Sequence, residues 1–161
     1  MEATREFIRD SLNGMVPFAT HCGVEVTEVT AEGGRAELTP SVEIENHLGT
    51  LHAGALFTLG EAASGAAMSG VFADMILGVI PVAAAAEISF FKPARGRIRA
   101  HARVNQNSGG LLDAIRSDGV ARFKVDVTLC DEDDLEVARL VVDWHVSNKG
   151  KIPENAKTEG R

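Results

Sequence analysis

Cysteine is scarce in this chain: Cys22 and Cys130 are the only two in 161 residues, and they fall in no CxxC or other metal-ligand spacing. That argues against a thiolate metal site and fits a reduced, cytoplasmic compartment. Basic residues are also in the minority, 16 Lys and Arg against 23 Asp and Glu, for a net charge of −7. A nucleic-acid partner is therefore not expected, although a local basic patch for a phosphorylated ligand remains compatible. The N-terminus lacks a basic start followed by an apolar core, so no signal peptide is expected. His47 and His52 stand five apart with no further ligand nearby in sequence, which gives no metal site. Internal repeats and a second domain are missing as well.

Long apolar runs are limited to one, from Leu51 to about Ala73. It approaches the length of a bilayer span, but Glu61 near its centre would cost roughly 2.5–3.5 kcal/mol on insertion. No Lys or Arg flanks it, so a membrane span is not expected. The run reads instead as a buried helix starting near Leu51 to Gly54. Gly54, Gly60, Gly65 and Gly70 each weaken it by roughly 1 kcal/mol relative to Ala, so packing must hold it together. Small residues on every side suit the inside of a wrapped sheet. A carboxylate in such a place needs a partner or a purpose. The helix start adds unpaired N–H groups and a partial positive charge, a setting for an oxygen that becomes negative.

Around this helix the chain alternates. Residues 1–20 carry Phe7, Ile8, Leu12, Met15 and Val16 at helical spacing, broken near Gly14 and Pro17, and predict a short helical cover. Val24–Thr30 and Arg35–Thr39 read as a hairpin around Glu32-Gly33-Gly34. Pro81–Phe91 reads as a strand with an Ala-rich start. Arg97–Val104 alternates strictly, and Leu111–Asp118 is a connection of undefined form. Val120–Leu129 turns Ala121, Phe123, Val125, Val127 and Leu129 one way. Val137–Val146 turns Ala138, Leu140, Val142, Trp144 and Val146 one way. Arg99, His101 and Arg103 fall on the other, solvated side, where Asp126 and Asp143 are the expected partners. Residues 148–161 are polar and predict a disordered tail. The class is α+β: one domain over 1–147, an antiparallel sheet wrapped around one long central helix. Bare sheet edges and an exposed helix flank predict an oligomer.

From Gly23 to Val146 the chain resembles the hotdog-fold acyl-CoA thioesterases. It is most similar to the phenylacetic-acid-degradation (PaaI-like) branch and its DUF4442-like relatives. The motif is Asn46, then Gly49-Thr50-Leu51-His52-Ala53-Gly54, then an acidic residue, Glu61, nine positions after the histidine. Lys92-Pro93-Ala94 and the closing strands fit too. Two positions depart from the pattern: Ala53 stands where the family commonly has Gly, and Glu61 where many members have Asp.

The resemblance implies hydrolysis of an acyl-CoA thioester, with no cofactor beyond the coenzyme A of the substrate. Glu61 is the implied general base or nucleophile. The Ala53 N–H, with Gly54, is the implied oxyanion donor. Asn46 is expected to position the water or the thioester, and His52 to orient the loop. Ser64 or Thr58, one turn away, is expected to bond Glu61. Lys92, Arg95 and Arg97 form the nearest basic cluster for the CoA phosphates. Ala53 and Glu61 lie about 12 Å apart along one helix. A homodimer or dimer of dimers, with the site at the subunit interface, would close that gap. The acyl pocket is expected to draw on Leu56, Phe57, Met68, Phe72, Met75, Ile76 and the N-terminal helix, with walls at Ala83–Ala86. Two other readings stay open. One is a non-catalytic acyl-thioester binder. The other is a 3-hydroxyacyl dehydratase built on His47 and Glu61, which stand fourteen apart.

Overall fold

The structure is a computed structural model, and it describes residues 2–149. Two helices, α1 (Glu2–Met15) and α2 (Pro17–His21), precede the hairpin β1 (Val24–Val29) and β2 (Gly33–Leu38). The long helix α3 (Ala53–Val71) follows, then a 3-10 segment (Ala73–Gly78) and strand β3 (Val79–Phe90). The chain closes with β4 (Ile98–Val104), α4 (Ser108–Asp118), β5 (Val120–Cys130) and β6 (Glu136–Asn148). The undefined connection before β5 is thus a helix. Asn107 caps it by accepting a hydrogen bond from the Gly110 N–H at 3.2 Å, and Gly119 ends it in the left-handed region at φ 73°. The tail expected from residue 148 overlaps the end of β6, and residues 150–161 lie outside the described residues.

Six antiparallel strands form one sheet in the order β1-β2-β4-β5-β6-β3. Its inner face carries the alternating residues of β4, β5 and β6, all buried, Val125, Leu129, Leu140 and Val142 among them at 0 % exposure. The helix α3 packs across this face, chiefly on β2 and β4. Leu59 and Phe72 are fully enclosed, and burying such a side chain contributes about 1.5–3 kcal/mol. Two helix glycines are dictated by close approach. A Cβ at Gly60 would lie 2.7 Å from Leu140 Cδ2, and one at Gly70 would strike the Thr30 carbonyl. Among the described residues, no helix is long and apolar enough to cross a membrane.

The two sheet edges differ. At β1, α1 lies alongside, and Asn13 closes the edge as another strand would. Its Nδ2 donates to the Val26 carbonyl at 2.9 Å, and its Oδ1 accepts from the Val26 N–H at 2.7 Å. At β3 no further strand pairs among the described residues, and residues 82–87 are exposed. On the outer face the charges pair differently from expectation: Arg99 meets Asp134 at 2.9 Å and Asp143 meets Lys124 at 3.0 Å. Asp126 sits opposite Arg103 in register.

Candidate active site

The loop before α3 is organised by one side chain. Asn46 Oδ1 accepts from the N–H groups of Leu48 and Thr50, at 2.9 and 3.3 Å. Its Nδ2 donates to Thr50 Oγ1 at 2.8 Å and to the Leu51 carbonyl at 3.4 Å. The amide is thereby engaged with the loop on both its oxygen and its nitrogen, and Asn46 clasps it. The Leu51 N–H reaches the Ala94 carbonyl at 3.0 Å and the His52 N–H reaches the Ile44 carbonyl at 2.8 Å, fixing where the helix begins.

The first four N–H groups of a helix have no partner within it, and here three are satisfied. His52 is the N-cap: its Nδ1 accepts from the Gly54 N–H at 2.9 Å. The Ala55 and Leu56 N–H groups both reach the His52 carbonyl. The Ala53 N–H alone has no hydrogen bond among the described residues, and Ala53 is exposed. Of the two N–H groups, Gly54's is thus held by His52 and Ala53's is left open. His52 thus ties the end of the loop to the first turn of α3.

Glu61 lies two turns further along α3. Its carboxylate makes no hydrogen bond or ion pair among the described residues, and burial raises its pKa above 4.5. Ser64 and Thr58 do not serve it. Ser64 Oγ donates to the Glu61 backbone carbonyl at 2.7 Å, and Thr58 Oγ1 donates to the Gly54 carbonyl at 2.8 Å. Ser64 Oγ in turn accepts from Trp144 Nε1 at 3.3 Å, a buried link between α3 and β6 that sequence spacing gave no means of finding.

Glu61 borders a cavity of about 520 Å³ between α1, α2 and α3. Met68, Ile76 and the N-terminal helix line it as expected; Ala62, Gly65 and Trp144 are lining residues the sequence reading missed. Leu56 and Phe72 are instead in the core, Met75 packs against it, and Phe57 is 37 % exposed. Ala83–Ala86 lie on the bare edge strand, away from this cavity. Nor does His47 line it; that residue is exposed in the loop. A larger depression, about 930 Å³, lies by the outer face, where Arg35 pairs with Glu28 at 3.1 Å, Arg99 with Asp134 and Arg9 with Asp10, while Arg5 has no ion pair among the described residues.

The expected phosphate-binding cluster is divided. Arg95 donates to the Gly49 carbonyl at 2.7 Å and so braces the Asn46 loop. Arg97 pairs with Glu37 at 3.1 Å on the outer face. Lys92 is exposed and has no ion pair among the described residues. No group of three His, Cys, Asp or Glu among the described residues is placed to hold a metal.

Solved structures share this arrangement of sheet and helix. A Pseudomonas aeruginosa protein of unknown function, named a probable thioesterase, is 26% identical with a TM-score of 0.76, over 89% of this chain and 95% of that one. The PaaI protein of the E. coli phenylacetic acid degradation operon is 17% identical with a TM-score of 0.69, over 89% and 93%. A mutant of the Thermus thermophilus phenylacetic acid degradation protein PaaI is 20% identical with a TM-score of 0.62, over 81% and 98%. No curated protein matches the sequence. The family model of a domain of unknown function, DUF4442, matches residues 4–146. By that match and by its fold, the chain belongs to the DUF4442 family and is a hotdog-fold protein.

Proposed function

We propose that this protein hydrolyses an acyl-CoA thioester to the free acid and coenzyme A, with Glu61 as the reacting carboxylate. The observation that carries the reading is Glu61 itself: largely buried, unpaired, raised in pKa, and at the border of an apolar cavity. A carboxylate held that way is a better base near neutral pH than an exposed one. The naming of a similar Pseudomonas aeruginosa protein as a probable thioesterase supports the same class.

Glu61 takes a proton from water as the water oxygen bonds to the thioester carbon; alternatively, the carboxylate attacks directly and forms a mixed anhydride that water then opens. In either route the carbonyl oxygen becomes negative and accepts a hydrogen bond from an Ala53 N–H at a helix start. The C–S bond then breaks, and the thiolate leaves and is protonated. One chain's Glu61 and Ala53 are about 12 Å apart along α3, too far to share a carbonyl. A homodimer in which Glu61 faces Ala53 of the partner subunit supplies the geometry. The bare edge of β3, with Val82 52 % and Phe91 53 % exposed beside it, supports such an assembly. Lys92, which is exposed, and Arg95, which reaches the Asn46 loop through the Gly49 carbonyl, are the cations for the CoA phosphates.

The test is free-thiol release from a panel of acyl-CoAs by wild type and Glu61→Gln. Turnover should fall by about 10²–10⁴-fold in the variant, the usual contribution of a general base, with substrate affinity retained. Release unaffected by the substitution would sink the assignment. A second reading, a binder without turnover, draws on the capture of the Gly54 N–H, which leaves one oxyanion donor; it predicts saturable acyl-CoA binding and no thiol release.

A further inference from the structure

Gly65 has no packing reason to be glycine. Gly60 and Gly70 sit where neighbouring atoms forbid a side chain, whereas a Cβ at Gly65 would lie 3.8 and 3.9 Å from two Trp144 ring atoms, ordinary van der Waals contact. Glycine inside a helix is unfavourable relative to alanine. What Gly65 borders is the cavity, one turn beyond Glu61 on the same face of α3. A side chain larger than a methyl group there would project into that space.

We propose that Gly65 is a specificity-determining residue, which keeps open a passage beside Trp144 for a straight acyl chain running from Glu61 toward Ser69. This rests on the acyl-thioester reading above and names its substrate class. Along the cavity, Glu61 to Ser69 spans eight residues, about 12 Å of helix. An extended chain advances about 1.2 Å per bond, taking 3.6 Å over the three backbone bonds of a residue, so roughly ten bonds fill that length. The fitting acyl group is therefore a medium chain of about eight to twelve carbons. A short aryl group would leave the far end empty. The walls are mainly apolar, with Ile8, Leu12, Val26 and Ile76 among them, and Ser69 and Lys149 also line the cavity. Two polar side chains of α1 that reach the cavity are already engaged: Ser11 with the Phe7 carbonyl at 2.7 Å, and Asn13 with Val26.

The experiment compares wild type, Gly65→Ala and Gly65→Leu on butyryl-CoA and decanoyl-CoA. Wild type should prefer decanoyl-CoA. Gly65→Leu should reverse that preference, lowering kcat/KM for decanoyl relative to butyryl by at least about tenfold, the scale on which pockets discriminate by methylenes. Gly65→Ala should fall between them, with a melting temperature at or above that of wild type, since alanine favours the helix. Hydrolysis with the same substrate ratio in all three proteins overturns the role of Gly65 and leaves the thioesterase reading standing. If no protein releases thiol, the thioesterase reading falls and the cavity is tested by binding. Trp144 is the only tryptophan and lies against Gly65, so its fluorescence reports occupancy. A saturable response to decanoyl-CoA in wild type that is lost in Gly65→Leu supports the passage; no response in wild type overturns it.

Discussion

Asn13 holds the wall of the cavity to the sheet, and the cost of removing it follows from its contacts. Its amide satisfies both the N–H and the carbonyl of Val26, at 2.7 and 2.9 Å, in a part-buried position. Asn13→Ala removes both bonds. Each contributes about 1 kcal/mol net, and a backbone group left buried without a partner costs about 1–3 kcal/mol. The better helix propensity of alanine offsets roughly half a kcal/mol. The expected loss is about 2 kcal/mol, which for a chain of this size lowers Tm by about 4–8 °C. Thermal unfolding followed by circular dichroism measures it. Asn13→Asp keeps the acceptor for the Val26 N–H but turns a second acceptor toward the Val26 carbonyl, so it should lose at least as much. Ser11→Ala is the control: it loses one exposed bond to the Phe7 carbonyl and should change stability by less than about 0.5 kcal/mol. An Asn13→Ala melting temperature within about 1 °C of wild type would show that the helix is held to β1 by something other than this clasp.

Two further outcomes are expected. Burial raises the Glu61 pKa above 4.5, so the folded state holds that proton more tightly than the unfolded chain. Stability therefore declines as pH rises from 4.5 through the raised folded value. Glu61→Gln should be more stable than wild type at neutral pH, with the gap closing below about pH 4; urea unfolding that gives the same gap at both pH values contradicts a desolvated carboxylate. His52→Ala deletes the cap on the Gly54 N–H and should cost about 1 kcal/mol of stability. If His52 only caps, kcat/KM falls by less than about tenfold and the pH profile keeps its shape, whereas loss of a proton-transfer group would remove about 10²–10⁴-fold.

Much of this molecule was legible in the residues as written. The period-two alternation of β5 and β6 named their core faces, because a strand turns every second side chain the same way. Glu61 stood out because a charge in an apolar run has few structural reasons to be there. The helix α4 was legible in principle and was missed. Its Asn107 cap and Gly119 stop flank it, but its two buried residues, Leu111 and Ile115, are too sparse a stripe to outweigh the connection reading.

Other features depended on residues far apart in sequence. Periodicity gives the face of a strand but not its neighbours, so only the assembled sheet set β3 at an edge beside β6. Spacing put Ser64 within reach of Glu61, but the structure gave its hydroxyl to the Glu61 backbone and joined it to Trp144, 80 residues away. The motif offered the Ala53 N–H, with that of Gly54, as donors; the rotamer of His52 separated them by occupying the second. The four glycines of the helix looked alike, and only their surroundings distinguished those pressed by Leu140 and Thr30 from Gly65, which borders the cavity beside Trp144. Local sequence fixes what each residue can offer, through its period, charge and hydrogen-bonding groups. Which partner takes up the offer is decided by the packing of distant segments, because that packing determines which groups are left unpaired and where space remains.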